Sequence, residues 1–190
     1  TIALVNQWKK ECKKFNFSNI IGVSSKEKWK DNLSFFSTAS RFTNTSFIVI
    51  VTYASFARPK FQSYLKELPS DTLLIADEMH NIGSPRILAT LKDVHLKNRI
   101  GLSATPNRQY DEMGNKGIED FFNDKFPYSF SYTMEQAIRN EPQALCEYTY
   151  YPHIVYLNEN ELAEYVKKSK QLLKYFDSNT KRYKDCKEVE

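Results

Sequence analysis

Three short apolar runs constrain this chain most. Residues 47–51, 72–76 and 99–102 place aliphatic or β-branched side chains at nearly consecutive positions, without the alternation of a half-solvated strand. A strand with no polar face is buried on both sides, the habit of a parallel sheet covered by helices. Each run stops on polar residues: Thr52 after the first, the pair Asp77-Glu78 after the second and Ser103 after the third. Helix signals fill the intervals, so the expected architecture is α/β with a parallel, doubly wound sheet.

The remaining segments fit that frame. Thr1 is a suitable cap for an opening helix on which Ala3, Leu4, Val5, Trp8, Cys12 and Phe15 recur at helical spacing, with Lys9, Lys10, Lys13 and Lys14 outside the stripe. Residues 20–23 form a further short apolar run ended by Ser24-Ser25, and 28–36 are compatible with a helix. Pro59 opens a helix through Leu65 whose inner face is Phe61, Tyr64, Leu65 and Leu68, while Ser84-Pro85 has the form of a cap and first-turn proline for a helix to Leu91. After Pro106 the character changes: 107–116 read as a polar loop and 118–122 as a short helix. Residues 128–132 and 147–157 are rich in aromatic and β-branched side chains and read as strands, separated by a small helix over 134–139. From Glu161 onward Leu162, Tyr165, Val166, Leu172, Leu173 and Phe176 mark an amphipathic helix, and the last 14 residues are polar enough to fray.

With 190 residues and 41% apolar positions the chain can bury one core of ordinary size. No stretch approaches the roughly 18 apolar residues of a membrane-spanning helix, and no secretory pattern opens the chain, so the expectation is a soluble, cytoplasmic protein. Cys12, Cys146 and Cys186 form an odd set without a CxxC pair, which argues against a disulfide framework and a zinc knuckle. None of the five glycines fits GxxxxGK[ST] or GxGxxG. The net charge of +4 conceals a strong asymmetry: residues 1–66 carry 11 Lys/Arg against 3 Asp/Glu, and residues 67–166 carry 8 against 16. A basic third beside an acidic middle suits one surface for a polyanion and another that gathers carboxylates; solvated charge without a role is the alternative.

In an open parallel sheet, ligands bind beyond the carboxyl ends of the strands. Here those ends are residues 52–56, 77–80 and 103–106. Adjacent carboxylates at a buried strand end are costly unless compensated, and hydrated Mg²⁺ is a usual compensator: one carboxylate holds the ion while its neighbour orients a water. An Asp-Glu turn without chemistry is the bland alternative. His95 and His153 fit no arrangement and read as ordinary histidines. A metal-dependent hydrolase using Glu78, His80 and His95 is the weaker option, because two groups on one strand end and a distant histidine set no metal geometry.

Taken together, the strand ends resemble the motifs of the nucleic-acid-dependent ATPases of helicase superfamily 2, in the DEAD/DEAH-box branch that includes type III restriction subunits. Residues 1–8 look like motif Ia and its helix, 52–56 like motif Ib, 74–80 like motif II, and 101–106, with Ser103-Ala104-Thr105, like motif III. The likeness covers residues 1 to about 157. It implies that Asp77 holds the Mg²⁺ of MgATP through water and that Glu78 orients and deprotonates the attacking water. It further implies that His80 links the nucleotide to motif III, that Ser103 and Thr105 couple hydrolysis to lobe movement, and that Thr1, Gln7 and Thr52 lie along the nucleic-acid backbone. Met79 departs from the family's Ala at a spacer position, where altered packing but intact chemistry is expected.

Two parts that such motors need are missing from the sequence: a Walker A loop, and a second RecA-like lobe with its γ-phosphate arginine. The expectation is therefore a segment of a longer protein. Residues 1–126 would be a partial RecA-like (P-loop NTPase-type) lobe, a parallel sheet flanked by helices but lacking the P-loop strand. Residues 127–190 would be a strand-helix linker toward the second lobe. ATP and Mg²⁺ are the implied cofactors; the implied partners are DNA, or RNA, and the missing P-loop segment and second lobe. By itself the chain is expected to be catalytically silent. A nucleic-acid-binding or scaffolding module that has lost hydrolysis is the alternative, although such a module has no chemical reason to keep Asp77-Glu78 and Ser103-Ala104-Thr105.

Overall fold

A computed structural model describes residues 2–24, 28–177 and 182–183 of the chain. Thr1 and Cys186 therefore lie outside the described residues. The fold divides into two units, with the boundary between Asn123 and Asp124.

The first unit is built on two parallel strand pairs. Its elements are α1 (Ile2–Lys14), β1 (Ile20–Val23), α2 (Trp29–Phe42), β2 (Ile48–Val51), α3 (Tyr53–Phe56), α4 (Pro59–Leu65) and β3 (Leu73–Asp77). A 3₁₀ helix (Met79–Gly83), α5 (Pro85–Leu91), β4 (Asn98–Leu102) and α6 (Glu112–Phe122) complete it. β1 pairs with β2 from Ile20↔Ile48 to Val23↔Val51, and β3 with β4 from Leu73↔Asn98 to Asp77↔Leu102. An asparagine pins each pair at its amino end: Asn19 Nδ2 donates to the Ser46 carbonyl (2.9 Å) and Asn98 Nδ2 to the Asp71 carbonyl (3.1 Å).

Among the described residues no ladder joins the two pairs, so the single doubly wound sheet expected from the sequence is replaced by two short sheets. Hydrophobic patterning locates strands but does not say which strands are neighbours. One core nonetheless spans both pairs, from Ile21, Val23 and Leu33 through Phe61 and Leu65 to Ile82, Leu96 and Ile118. Burial on both faces is also not met in β3 and β4. Leu74, Ala76, Arg99 and Gly101 face inward, while Leu73, Ile75, Ile100 and Leu102 are exposed on the other side.

The opening helix is rotated from its expected orientation. Val5 is buried and Lys9 and Cys12 are half-buried, whereas Leu4, Trp8 and Phe15 stay outside. A two-stranded sheet presents a platform only about 5 Å across between strand axes, too narrow to cover a full helical stripe. Lys9 lies along the strand, since a Cβ at Gly22 would collide with its stem. α2 runs longer than expected, to Phe42. α6 starts at Glu112, inside the expected loop, because Asp111 caps it by accepting from the Gly114 N–H (2.9 Å). Arg99 closes α6 onto β4: its guanidinium donates to the carbonyls of Leu96 (2.6 Å), Val94 (3.0 Å) and Phe121 (2.7 Å) and lies 4.0 Å from the centre of the Phe121 ring.

In the second unit α7 (Met134–Arg139) and α8 (Glu159–Leu173) each open with a reciprocal capping box, Thr133 with Gln136 and Asn158 with Glu161. Residues 128–132 and 147–157 are not strands, contrary to expectation. Composition there suits a sheet, but a strand needs a partner ladder and none lies alongside among the described residues. Tyr148, Tyr150, Tyr151 and Tyr156 are exposed instead. Phe176 leaves the helix assigned to it and joins β5 (Phe176–Asp177), antiparallel to β6 (Arg182–Tyr183), which falls within the tail expected to fray.

Candidate functional site

The carboxyl ends of β2, β3 and β4 carry the residues singled out by the sequence. β3 ends at Asp77, whose Oδ1 accepts the Glu78 N–H (3.0 Å) and so fixes the carboxylate beside the turn. Glu78 adopts the left-handed region (φ 50°, ψ 52°), a conformation that costs an L-residue roughly 1–2 kcal/mol. Its carbonyl offsets part of that by accepting from both the N–H and the side-chain amide of Asn81 (3.0 Å each). Both carboxylates are exposed, so the burial penalty expected from the sequence does not arise in the chain as it stands.

The left-handed turn swings His80 toward β4. His80 Nδ1 lies 3.1 Å from Ser103 Oγ and 3.4 Å from Glu78 Oε2. Ser103 Oγ also accepts the Thr105 N–H (3.2 Å), which joins the residues after β4 to the same cluster. With its proton on Nε2, the imidazole accepts from the Ser103 hydroxyl; with Nδ1 protonated, it donates to Ser103 or Glu78. Asp77, Glu78, His80, Ser103 and Thr105 are thus brought together. Gln7 is exposed on α1 outside that cluster, and Thr52 caps α3, its Oγ1 accepting from the Ser55 N–H (3.3 Å).

The type III restriction enzyme res subunit family matches residues 1–108, a span that holds both parallel pairs and the whole cluster. The chain belongs to this family. It is a segment of a helicase-family ATPase motor. No curated protein and no solved structure matches it.

Res subunits use ATP and Mg²⁺. Asp77 and Glu78 offer exposed carboxylate oxygens, the donor type Mg²⁺ prefers. Among the described residues no three His, Cys, Asp or Glu side chains assemble to hold a metal by themselves. This donor set fits an ion held mainly by water and phosphate oxygens, not one enclosed by protein.

The chain also positions residues that sequence reasoning missed. Arg108 clamps the turn: Nη1 donates to the His80 carbonyl (2.8 Å) and Nε to Asp111 Oδ2 (2.8 Å). Asn115 closes the loop from the other side, accepting the Arg108 N–H (2.7 Å) and donating to its carbonyl (3.0 Å). Gly83 lets the Arg108 stem pass, since a Cβ there would strike Cδ. Asp111 followed by Gly114, Ile118, Phe121 and Phe122 at helical spacing was the available signal. Met79 is buried in the core with its sulfur against Gly101, where any Cβ would collide with it.

A basic cleft of about 220 Å³ lies by β1 and α3, lined by Ser24, Lys30, Ser55, Arg58 and Lys60 over Trp29 and Phe61. Lys60 lowers the proton affinity of Lys30, first through their side-chain contact; desolvation and like charge add to it, and Asp31 opposes it. Three cations, Lys30, Arg58 and Lys60, on one cleft suit an anion. Tyr53 is the other residue passed over: its hydroxyl donates to the Asp77 carbonyl (2.7 Å).

Proposed function

We propose that this chain is the part of a first RecA-like motor lobe that supplies MgATP hydrolysis and nucleic-acid backbone contacts in a DNA helicase or translocase. The contact of His80 with both Glu78 and Ser103 carries the reading, because it joins the candidate base to the motif III segment. When bound, MgATP brings the reactive phosphoryl group and a cation that neutralises its charge. Asp77 would hold the ion through water, and Glu78 would take the proton of the attacking water at its carboxylate. His80 passes the state of that carboxylate to Ser103, and Thr105 follows through the Ser103 hydroxyl.

The nucleic-acid backbone runs over Thr1, Gln7 and Thr52, with the basic cleft beside Thr52 as a phosphate site. Residues 1–126 form the partial lobe, and 127–190 lead toward a second lobe. In the ATP-hydrolysing parent, Glu78→Gln should preserve nucleotide binding and lower turnover by at least about 10²-fold, while Asp77→Asn should weaken MgATP binding as well. Normal turnover in Glu78→Gln would remove Glu78 as the base.

A nucleic-acid-binding or scaffolding module that has lost hydrolysis is the second reading. ATPase activity of the parent separates the two, since the module hydrolyses nothing.

A further inference from the structure

The proposed nucleic-acid path and the carboxylate pair sit on different strand pairs, and the Tyr53 hydroxyl reaches from one to the other. Thr52 and Ser55 define the turn after β2, locked by the Thr52 Oγ1 acceptor contact with the Ser55 N–H (3.3 Å) and a second hydrogen bond between their hydroxyls (3.2 Å). Ser55 faces the basic cleft. Phe56 and Ala57, the next residues, are buried, and Gln62 Nε2 ties the Phe56 carbonyl to α4 (2.7 Å). The turn is therefore a stiff unit with little freedom to adapt internally. Tyr53 is its first helical residue, and its hydroxyl reaches across to the Asp77 carbonyl (2.7 Å), one residue before Glu78. Asp77 and Glu78 share a short, strained turn, so a shift of the Asp77 carbonyl is felt at the Glu78 backbone.

From this geometry we infer that Tyr53 is the positioning residue that transmits occupancy of the nucleic-acid cleft to the Asp77-Glu78 turn. The inference rests on the nucleic-acid reading proposed above and adds to it a defined route between the two sites. Tyr53 acts through a backbone carbonyl and touches neither nucleotide nor strand. Burial, aided by the nearby charges of Asp77 and Glu78, raises the phenol well above its ordinary range, so it remains a donor throughout the working pH range.

Two-dimensional NMR of the ¹⁵N-labelled 190-residue chain, titrated with a single-stranded oligothymidine, tests this. In the wild type the Ser55 and Glu78 amides should both shift. In Tyr53→Phe, which removes one oxygen and keeps the ring, Ser55 should still shift and the Glu78 response should vanish. Gln62→Leu loosens the same turn but leaves the Tyr53 hydroxyl on the Asp77 carbonyl, so it should weaken the Glu78 response without abolishing it; a loss as complete as in Tyr53→Phe would reduce Tyr53 to a merely structural part of the turn. A Glu78 shift that persists in Tyr53→Phe, or is absent from the wild type while Ser55 moves, overturns the coupling and leaves the nucleic-acid reading standing. A silent Ser55 in the wild type overturns the nucleic-acid reading, and the coupling with it.

Discussion

A glutamate in left-handed backbone is the residue-scale signature of this site. Only glycine takes that region without penalty, so Glu78→Gly should be more stable than Glu78→Ala by roughly 1–2 kcal/mol in urea unfolding, although both lose the carboxylate. Equal stability would mean that the turn relaxes when the side chain is removed. Tyr53 makes a pH prediction. Its folded phenol resists ionisation and an unfolded phenol does not, so its contribution is complete below the ordinary tyrosine value of about 10 and fades as pH rises beyond it. The melting temperature of the wild type should therefore fall more steeply between about pH 10 and 12 than that of Tyr53→Phe. Asp77, Glu78, His80 and Ser103 were legible in the sequence because each stands where an apolar run stops. Tyr53 and Arg108 were not, since their partners are backbone carbonyls 24 and 28 residues away and no spacing rule reaches that far.

Elements were legible where the signal was local. Pro59–Leu65, Pro85–Leu91 and Met134–Arg139 lie where proline, cap and apolar spacing put them. Residues 128–132 and 147–157 were misread because strand composition without a neighbouring strand forms no strand. At this scale the Arg108–Asp111 clamp is testable. Asp111→Ala removes both the ion pair and the cap of α6, while Asp111→Asn loses the charge and keeps a good cap; Asn should be the milder change by about 0.5–2 kcal/mol in thermal unfolding. Met79→Ala should cost about 2–5 kcal/mol, because the Met79 side chain is buried against Gly101 and a smaller one leaves a cavity. A cost under about 1 kcal/mol would mean that the core collapses into the space.

For the whole molecule, the charge count marked residues 1–66 as basic without saying which of their cations share a surface. Lys9 lies over Gly22 and Lys14 pairs with Glu11 (2.8 Å), whereas Lys30, Arg58 and Lys60, from the same span, converge on one cleft. If the parent binds single strands there, changing these three to Gln should flatten the slope of log K against log salt by about 0.7 for each phosphate that is no longer neutralised. Changing Lys10 and Lys13 should leave the slope alone. An unaltered slope in the cleft variant would make the cleft an ordinary solvated surface.

The two strand pairs meet through side chains, with no ladder between them among the described residues. Such a boundary is a slip plane: one pair can slide past the other without breaking a backbone hydrogen bond within either sheet. The Tyr53 hydroxyl spans it like a tie-rod, and the asparagines that fasten each pair sit at the opposite ends of the strands. The two pairs are thus tied to each other at their carboxyl ends, where the polar residues gather, so a sliding motion between them pulls first on the carboxylate turn.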